Sequence, residues 1–398
     1  MTRRKIYTGA VILVIITSLI TFILTNSLSL ILPGGRVIVS RNEYSLMKQY
    51  QKLFEVRRIL KNAYVDKIDT SKLVDGSIKG MASSLNDPYT VYFDKKDYSD
   101  FMTQTRGSYA GVGIIVSADK KGHIVVVSPI KNTPGEKAGI KTGDIIISVD
   151  DKKVSGNNLD EAVALMKGPE GTNVTLTILR DDKTMKKTLT RETIVLQTVD
   201  SQMLANNIGY IKITMFDEHT SADFKVALNK LKSEGMKGLI IDLRDNPGGL
   251  LDECVNIANE LLPKGIIVST KGRIESKQYS SKGPGLGKPL VLLVNGGSAS
   301  ASEILSGAVK DRKAGVLVGT KTFGKGLVQS IYDFNDGTAL KYTIARYYTP
   351  NGVNIQGKGI EPNYIVELPK NYVLTDKPDL KEDTQLIKAY DIINSQIK

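Results

Sequence analysis

The sequence predicts a mixed α/β, multi-domain protein, and three stretches carry that prediction. Residues 196–368 alternate apolar, strand-like runs with amphipathic helical patterns, which is typical of an α/β core. Residues 107–195 contain short strand patterns separated by glycine turns, with a single helical pattern near their middle. Residues 6–32 contain no charged side chain. A chain of 398 residues is long enough for two or three such domains.

The composition excludes several classes of function. The net charge is +12, but lysines and arginines are scattered along the chain without a basic block, so no nucleic-acid partner is predicted. Cys254 is the only cysteine, which excludes an internal disulfide and a cysteine-based metal site. With only two histidines in addition, a zinc enzyme is not expected. We predict neither a metal nor an organic cofactor.

Residues 1–40 are predicted to be a cytoplasmic basic tail followed by a transmembrane anchor. Arg3, Arg4 and Lys5 precede the uncharged stretch, which is longer than the roughly 20 residues that span a bilayer. A cleavable signal peptide is the alternative, but its apolar core is usually shorter and a clear A-x-A cleavage site is lacking. Because basic residues stay on the cytoplasmic side, the rest of the chain is predicted to lie outside the cell membrane.

Residues 291–329 contain the best candidate for a reactive site. An apolar strand pattern, VLLV, ends in the turn NGG, and Ser300 follows at a strand-to-helix turn. Lys325 lies between two glycines after a second apolar strand pattern. A serine hydroxyl needs an adjacent base, and a lysine serves as one only when burial favours its neutral form. From residue types alone, a helix cap at Ser300 and a solvated lysine at 325 are the plainer interpretation.

Two motifs change that interpretation. The run SASASE at 298–303 and the run TFGKG at 322–326, followed by VQ, closely resemble the tail-specific (C-terminal processing) serine peptidases. The resemblance implies that Ser300 is the nucleophile, that Lys325 is its general base and that Gln329 orients Lys325.

The same resemblance implies an oxyanion hole and a fold. The turn DNPGG at 245–249 assigns one oxyanion donor to the amide of Gly249, and the amide of Ala301 becomes the second. The core is then expected to be crotonase-like, with a PDZ domain inserted before it. Family resemblance also favours a homodimer formed through the terminal segments.

The glycine-punctuated region resembles a PDZ domain, which implies capture of a protein C-terminal tail. In such a module a glycine loop offers backbone amides to the terminal carboxylate, and the strand beside it pairs with the extended peptide. The candidate peptide-binding residues are Gly111, Val112, Gly113, Ile114, Val163, Met166 and Lys167. For Val163 and Met166 a simple core position is the alternative, and for Lys167 a solvated surface position.

These observations predict five segments: the anchor at 1–40, an N-terminal helical region at 41–106, a PDZ domain at 107–195, the peptidase core at 196–368 and a C-terminal segment at 369–398 that is a candidate dimer contact. The predicted function is that of an extracytoplasmic, membrane-anchored serine endopeptidase. It would recognise C-terminal tails through the PDZ domain and cleave by a Ser–Lys dyad. A membrane-tethered PDZ adaptor with an inactive peptidase fold is the alternative.

Three competing motifs are weaker. Residues 319–326 match a phosphate-binding P-loop except that Gly326 replaces the final Ser or Thr, and a strand pattern rather than a helix follows. Residues 45–48 match S-x-x-K but lie beside the apolar N-terminal stretch, outside any core pattern. His219 would be needed for a Ser-His-Asp triad, but it lies in a polar stretch that is typical of a helix cap.

Overall fold

The computed structural model describes residues 3–25, 30–32, 36–38, 40–375 and 377–397. The chain divides into two compact units, Met1–Met81 and Ala82–Lys398. The predicted candidate site and the predicted PDZ domain both lie in the second unit.

The first unit is mainly helical. Ser40 begins its second helix with a capping box, in which the Ser40 amide donates to Glu43 Oε2 at 2.8 Å and the Glu43 amide donates to Ser40 Oγ at 3.2 Å. Its elements are α1 (Arg3–Thr25), β1 (Leu30–Leu32), β2 (Arg36–Ile38), α2 (Arg41–Gln49), α3 (Gln51–Ala63) and α4 (Thr70–Ser83), the last of which runs across the unit boundary.

None of the helices in the described part of the chain has the length and apolarity that crossing a bilayer requires. The anchor at residues 1–40 stays a prediction, and part of that segment lies outside the described residues.

After the end of α4, the second unit continues with one strand and one helix. These are the strand β3 (Val91–Phe93) and the helix α5 (Lys95–Arg106), which Asp94 caps by accepting the amide of Asp97 at 3.0 Å. The helix ends at Gly107, whose φ of 64° is the left-handed conformation that glycine adopts readily at a helix end.

The region predicted to be a PDZ domain is a small antiparallel β-structure with one principal helix. Its elements are β4 (Ser108–Gly111), β5 (Ile114–Ala118), β6 (Ile124–Pro129), α6 (Pro134–Lys137), β7 (Ile145–Val149), β8 (Lys152–Lys153), α7 (Leu159–Met166), β9 (Asn173–Arg180), β10 (Lys183–Thr190) and β11 (Glu192–Val195). The main sheet has the order β10-β9-β7-β6-β5, so β5 is an edge strand. The first and last strands, β4 and β11, pair with each other, so the chain enters and leaves this module at one place.

The region predicted to be the peptidase core is built on a sheet whose two central strands are buried on both faces. Its elements are β12 (Val199–Leu204), β13 (Ile208–Ile213), α8 (Thr220–Ser233), β14 (Gly238–Asp242), α9 (Leu251–Leu261), β15 (Pro263–Gly272), β16 (Ser276–Pro284), β17 (Leu290–Val294), α10 (Ala301–Asp311), β18 (Val316–Gly319), β19 (Leu327–Asp333), β20 (Ala339–Tyr348), β21 (Tyr364–Ile365) and α11 (Thr384–Gln396). The sheet order is β12-β13-β14-β17-β18-β21, parallel except for β12. Every residue of β14 and β17 is buried, as expected for strands that helices cover on both sides.

A second sheet has the strand order β16-β15-β20-β19, and β3 also pairs with β20. Residues 271–288 are polar and glycine-rich, which predicts a surface loop. This prediction is wrong for most of the stretch, because β15 and β16 form an antiparallel hairpin that extends to Pro284. Most side chains of β16 are exposed or half-buried. Because β16 is mostly solvated, its sequence lacks the alternation of apolar and polar residues by which a strand is recognised.

The C-terminal segment caps the main sheet. Leu386, Ala389 and Ile393 of α11 are fully buried against residues of the parallel strands. A buried polar cluster fastens this end: Arg244 Nη2 lies 2.6 Å from Asp242 Oδ2 and 2.8 Å from Asp383 Oδ2. The helix α11 therefore covers one face of the central strands, and α8, α9 and α10 pack in the core cluster on the other face.

Candidate active site

Ser300 lies at a strained turn between β17 and α10. Its backbone φ of 54° and ψ of −112° fall in a region that non-glycine residues rarely adopt. Such a conformation costs about 1–3 kcal/mol and persists only where the surroundings impose it. Here the Ala299 amide donates to the Asn246 carbonyl at 3.0 Å, and Ser298 Oγ donates to the Leu243 carbonyl at 2.8 Å. The turn is therefore held to the end of β14, and Ser300 becomes the N-cap of α10.

The glycine turn after β14 lies against this serine. A Cβ added to Gly248 would lie 2.8 Å from Ser300 Cβ and 2.9 Å from the amide nitrogen of Ala301. Only a glycine allows this approach.

The two predicted oxyanion donors, the amides of Gly249 and Ala301, belong to residues that line the same cavity as Ser300. Phe216 bonds to the neighbours of Gly249, donating to the Gly248 carbonyl at 3.0 Å and accepting from the Leu250 amide at 2.7 Å. In such a parallel bridge the amide of the central residue points away from the partner strand. The Ala301 amide is in the first turn of α10, where no helical carbonyl is available and the helix dipole is positive.

Lys325 is half-buried in the same cavity as Ser300. Its Nζ lies 4.7 Å from the centroid of the Tyr89 ring. Burial lowers the pKa of Lys325, the nearby charge of Lys341 lowers it further, and Asp87 and Glu303 act in the opposite direction. The net lowering of the pKa is the direction that a general base requires.

Gln329 lines the cavity, but the hydrogen bond described for its side chain is not to Lys325. Gln329 Nε2 donates to Thr343 Oγ1 at 3.5 Å, and that hydroxyl donates to Asp87 Oδ2 at 2.6 Å. The orienting role of Gln329 toward Lys325 stays a prediction.

Glu303 joins the serine turn to the lysine turn, a role that the motif comparison did not reveal. Its carboxylate is fully buried, and Oε2 accepts the amides of Ser300 at 2.9 Å and Lys325 at 2.8 Å. Oε1 accepts the Gly324 amide at 2.7 Å and the Thr322 hydroxyl at 2.6 Å. Four donors on one carboxylate fix the relative position of the two turns.

These groups surround one cavity of about 280 Å³. It is lined by Phe101, Gln104, Thr105, Met215, Phe216, Pro247, Gly248, Gly249, Leu250, Leu251, Ser300, Ala301, Ile304, Lys325, Leu327, Val328, Gln329, Ile331, Lys341 and Tyr347. His219 is not in that lining but at the N-cap of α8. Within the described residues, no group of three or more His, Cys, Asp or Glu side chains is arranged to hold a metal ion. The arrangement suits acyl transfer, with a hydroxyl, an amine and free amides around an apolar cleft.

A smaller cavity of about 40 Å³ lies between β5 and α7 of the PDZ-like module. Six of the seven predicted peptide-binding residues line it together with Tyr109, whereas Gly111 lies outside the lining, in β4. Lys167 Nζ is 5.2 Å from the Tyr109 ring centroid and 3.9 Å from Asp100 Oδ1. Asp100 belongs to α5, which lines the larger cavity, so this helix contacts Lys167 of the smaller cavity.

Sequence reasoning missed Asp87, Tyr89, Lys341 and Tyr347 as residues of this site. Tyr347 is buried, and its hydroxyl donates to the Ser300 carbonyl at 3.2 Å. In the sequence, the segment DPYT at 87–90 indicates the end of a helix and resembles the segment that precedes the PDZ domain in the tail-specific peptidases. Nothing in the sequence alone brings it next to Lys325.

Comparison with known protein families agrees with this description. Residues 207–366 match the model of peptidase family S41, residues 125–180 match a PDZ domain, and residues 37–97 match the N-terminal domain of the activating protease CtpB.

Full-length relatives extend the match over most of the chain. The carboxy-terminal processing protease CtpA of Bacillus subtilis is 40% identical over 356 residues, which cover 88% of this chain and 76% of that protein. The carboxy-terminal-processing protease of Bartonella bacilliformis is 38% identical over 400 residues, covering 90% and 92%. A crystal structure of a putative S41 protease from Bacteroides fragilis shares the fold, with a TM-score of 0.51 over 86% of this chain and 97% of that one at 15% identity.

Proposed function

Because the chain belongs to the carboxy-terminal processing proteases of peptidase family S41 and is therefore a serine-type peptidase with a PDZ domain, we propose that it binds the C-terminal tails of proteins and cleaves them with Ser300 and Lys325. The family and the enzyme class predicted from the motifs are confirmed by these relatives. The observation that carries the proposal is that Ser300, Lys325, Gly249 and Ala301 line one cavity.

In the proposed reaction the neutral amine of Lys325 accepts the proton of the Ser300 hydroxyl as Oγ attacks the peptide carbonyl carbon. The carbonyl oxygen becomes an oxyanion, which the amides of Gly249 and Ala301 stabilise. Each such donor is worth about 3 kcal/mol of barrier. The Lys325 ammonium then gives its proton to the leaving amine as the C–N bond breaks. Water hydrolyses the resulting acyl-enzyme by the same proton route and releases Ser300.

The PDZ module is proposed to hold the tail beforehand. An extended peptide can pair with the edge strand β5, and its terminal carboxylate can accept the amides of the loop at Val112 and Gly113. The cavity beside that strand is small and lined by Val163 and Met166, so it suits a small apolar terminal side chain.

We also propose that the catalytic part lies outside the cell membrane, with residues 1–40 as its anchor, and that the protein is a homodimer. The basic start and the uncharged residues 6–32 support the first proposal. Protease accessibility in intact cells and membrane fractionation test the location, and analytical ultracentrifugation tests the dimer. A protein recovered entirely in the soluble cytoplasmic fraction would contradict the anchor.

The test of the reaction uses an unfolded protein with an apolar C-terminus as substrate. We expect the wild-type chain to cleave it, and Ser300→Ala and Lys325→Ala each to lose cleavage while still binding a tail peptide. Gln329→Ala should weaken rather than abolish cleavage. If the wild type binds tails but does not cleave, the PDZ adaptor is the better description. Unchanged turnover by Lys325→Ala would remove the proposed base.

A further inference from the structure

A second lysine lines the active-site cavity. Lys341, on β20, is half-buried and borders the same space as Ser300 and Lys325. Its Nζ lies 5.1 Å from the ring centroid of Phe93 and 5.3 Å from that of Phe101. The two rings are stacked, with centroids 5.0 Å apart. Burial lowers the pKa of Lys341, whereas contact with the two aromatic faces favours its charged form.

Among the residues that the structure describes, no carboxylate forms an ion pair with Lys341, and none of the side chains that line the cavity is acidic. Two lysines therefore share a cleft whose walls are mainly apolar. In such surroundings a second positive charge is unfavourable, and the interaction between the two is poorly screened.

The charged groups that act on Lys325 do so in opposing senses. Asp87, from the segment before β3, and Glu303, from α10, both favour its ammonium form. Burial disfavours that form most, and Lys341, from β20, adds to the effect of burial. Among Asp87, Glu303 and Lys341, all in the described part of the chain, Lys341 is the cation. The Tyr89 ring contacts Lys325 but carries no charge.

We propose that Lys341 is a positioning residue for the catalytic base: its ammonium, seated on Phe93 and Phe101, keeps Lys325 in the unprotonated form that accepts the proton of Ser300. The inference rests on the proposed function, since it concerns the same lysine. The segment 87–106 contacts both lysines: Tyr89 contacts Lys325, and Phe93 and Phe101 contact Lys341.

The test is the pH dependence of kcat/KM in Lys341→Met, with Lys341→Arg as the matched control. Activity should rise with pH as Lys325 loses its proton. Without the charge at 341 the pKa of Lys325 rises, so the midpoint of this limb should move upward by about half a pH unit or more. Activity on the low-pH side of that limb then falls about threefold, by the tenfold-per-unit relation between proton activity and pH. Lys341→Arg retains the charge and should keep the wild-type midpoint.

A readout that does not need activity separates this inference from the proposed function. In the Ser300→Ala background, nuclear magnetic resonance of isotopically labelled lysine follows the titration of Lys325 Nζ directly, and Lys341→Met should raise its midpoint by the same amount. Lys341→Gln serves as a second neutral variant if Lys341→Met does not fold, with circular dichroism and tail-peptide binding to check both.

The outcomes are distinct. A wild type that shows no Ser300-dependent cleavage overturns the proposed function, whatever the titration shows. Cleavage with an unmoved midpoint in both neutral variants overturns the role of Lys341, even if overall activity falls. A midpoint that rises in the neutral variants and not in Lys341→Arg supports the inference.

Discussion

Replacing Glu303 with glutamine should test whether one buried carboxylate assembles the site. Each carboxylate oxygen of Glu303 accepts two donors, and the four donors come from the serine turn and the lysine turn. Glutamine is almost the same size but keeps only one acceptor oxygen. If its NH₂ group faces the Ser300 and Lys325 amides, both of those hydrogen bonds are lost. If it faces Gly324 and Thr322, the Gly324 hydrogen bond is lost and the Thr322 hydroxyl has to turn to accept.

The size of the effect follows from the number of bonds lost. Hydrogen bonds to a charged group contribute about 1.5–3 kcal/mol each, so the loss of one or two costs about 1.5–6 kcal/mol. Because that is a large share of the roughly 5–15 kcal/mol that stabilises a typical domain, we expect the catalytic region to be strongly destabilised. The turns should also lose their alignment, which would reduce kcat much more than KM.

The assay is urea unfolding combined with kinetics of tail cleavage. Ser306→Ala is the control, since Ser306 is buried on the same helix and its hydroxyl only donates to the Ser302 carbonyl at 2.7 Å. Glu303→Gln should also move the low-pH limb of any remaining activity to lower pH, because Glu303 raises the pKa of Lys325. A Glu303→Gln protein with wild-type stability and kcat would refute the reasoning.

Three further predictions concern the framework. Arg244→Met should cost about 3–5 kcal/mol in urea unfolding, because it leaves the buried carboxylates of Asp242 and Asp383 without a cation; a loss below 1 kcal/mol would contradict this. Gly238→Ala should loosen α11, because the new Cβ would collide with Ile393 Cγ2, and it should cost about 1–3 kcal/mol. Hydrogen exchange of the α11 amides measures that loosening, and unchanged protection would argue against it. Although burial raises the pKa of Asp144, hydrogen bonds from Arg180 and the Lys141 amide bring it below its ordinary value. The stability it provides is therefore full above about pH 4 and is lost as pH falls further, so Asp144→Asn should flatten the acid dependence of thermal unfolding in the full chain; parallel acid profiles for the two proteins would refute this.

Much of the fold could be predicted because its signals are local. The strands β14 and β17 are continuous apolar runs, and α8 shows one apolar face, so composition and period identified them. Ser300 was found because a run of small residues follows a buried strand. The identity of the two reactive residues came from motif resemblance rather than from local physics.

What could not be predicted depends on contacts between distant parts of the chain. Asp87, Tyr89 and Lys341 meet Lys325 only after β3 has paired with β20. The four hydrogen bonds to Glu303 form only when the turn before β19 packs against the start of α10. Neither juxtaposition leaves a periodic trace in the sequence, because each involves isolated side chains at irregular spacing.

The pairing of β4 with β11 makes the tail-binding module topologically separable. Because Gly111 lies opposite Glu192, the polypeptide departs from the catalytic framework and rejoins it across a single strand spacing. The residues between β4 and β11 could be deleted and the two strand ends joined by a tight turn. The rest of the chain would then keep its original path. A different receptor could be grafted at the same junction, so the choice of protein to be cut and the chemistry of cutting can change independently.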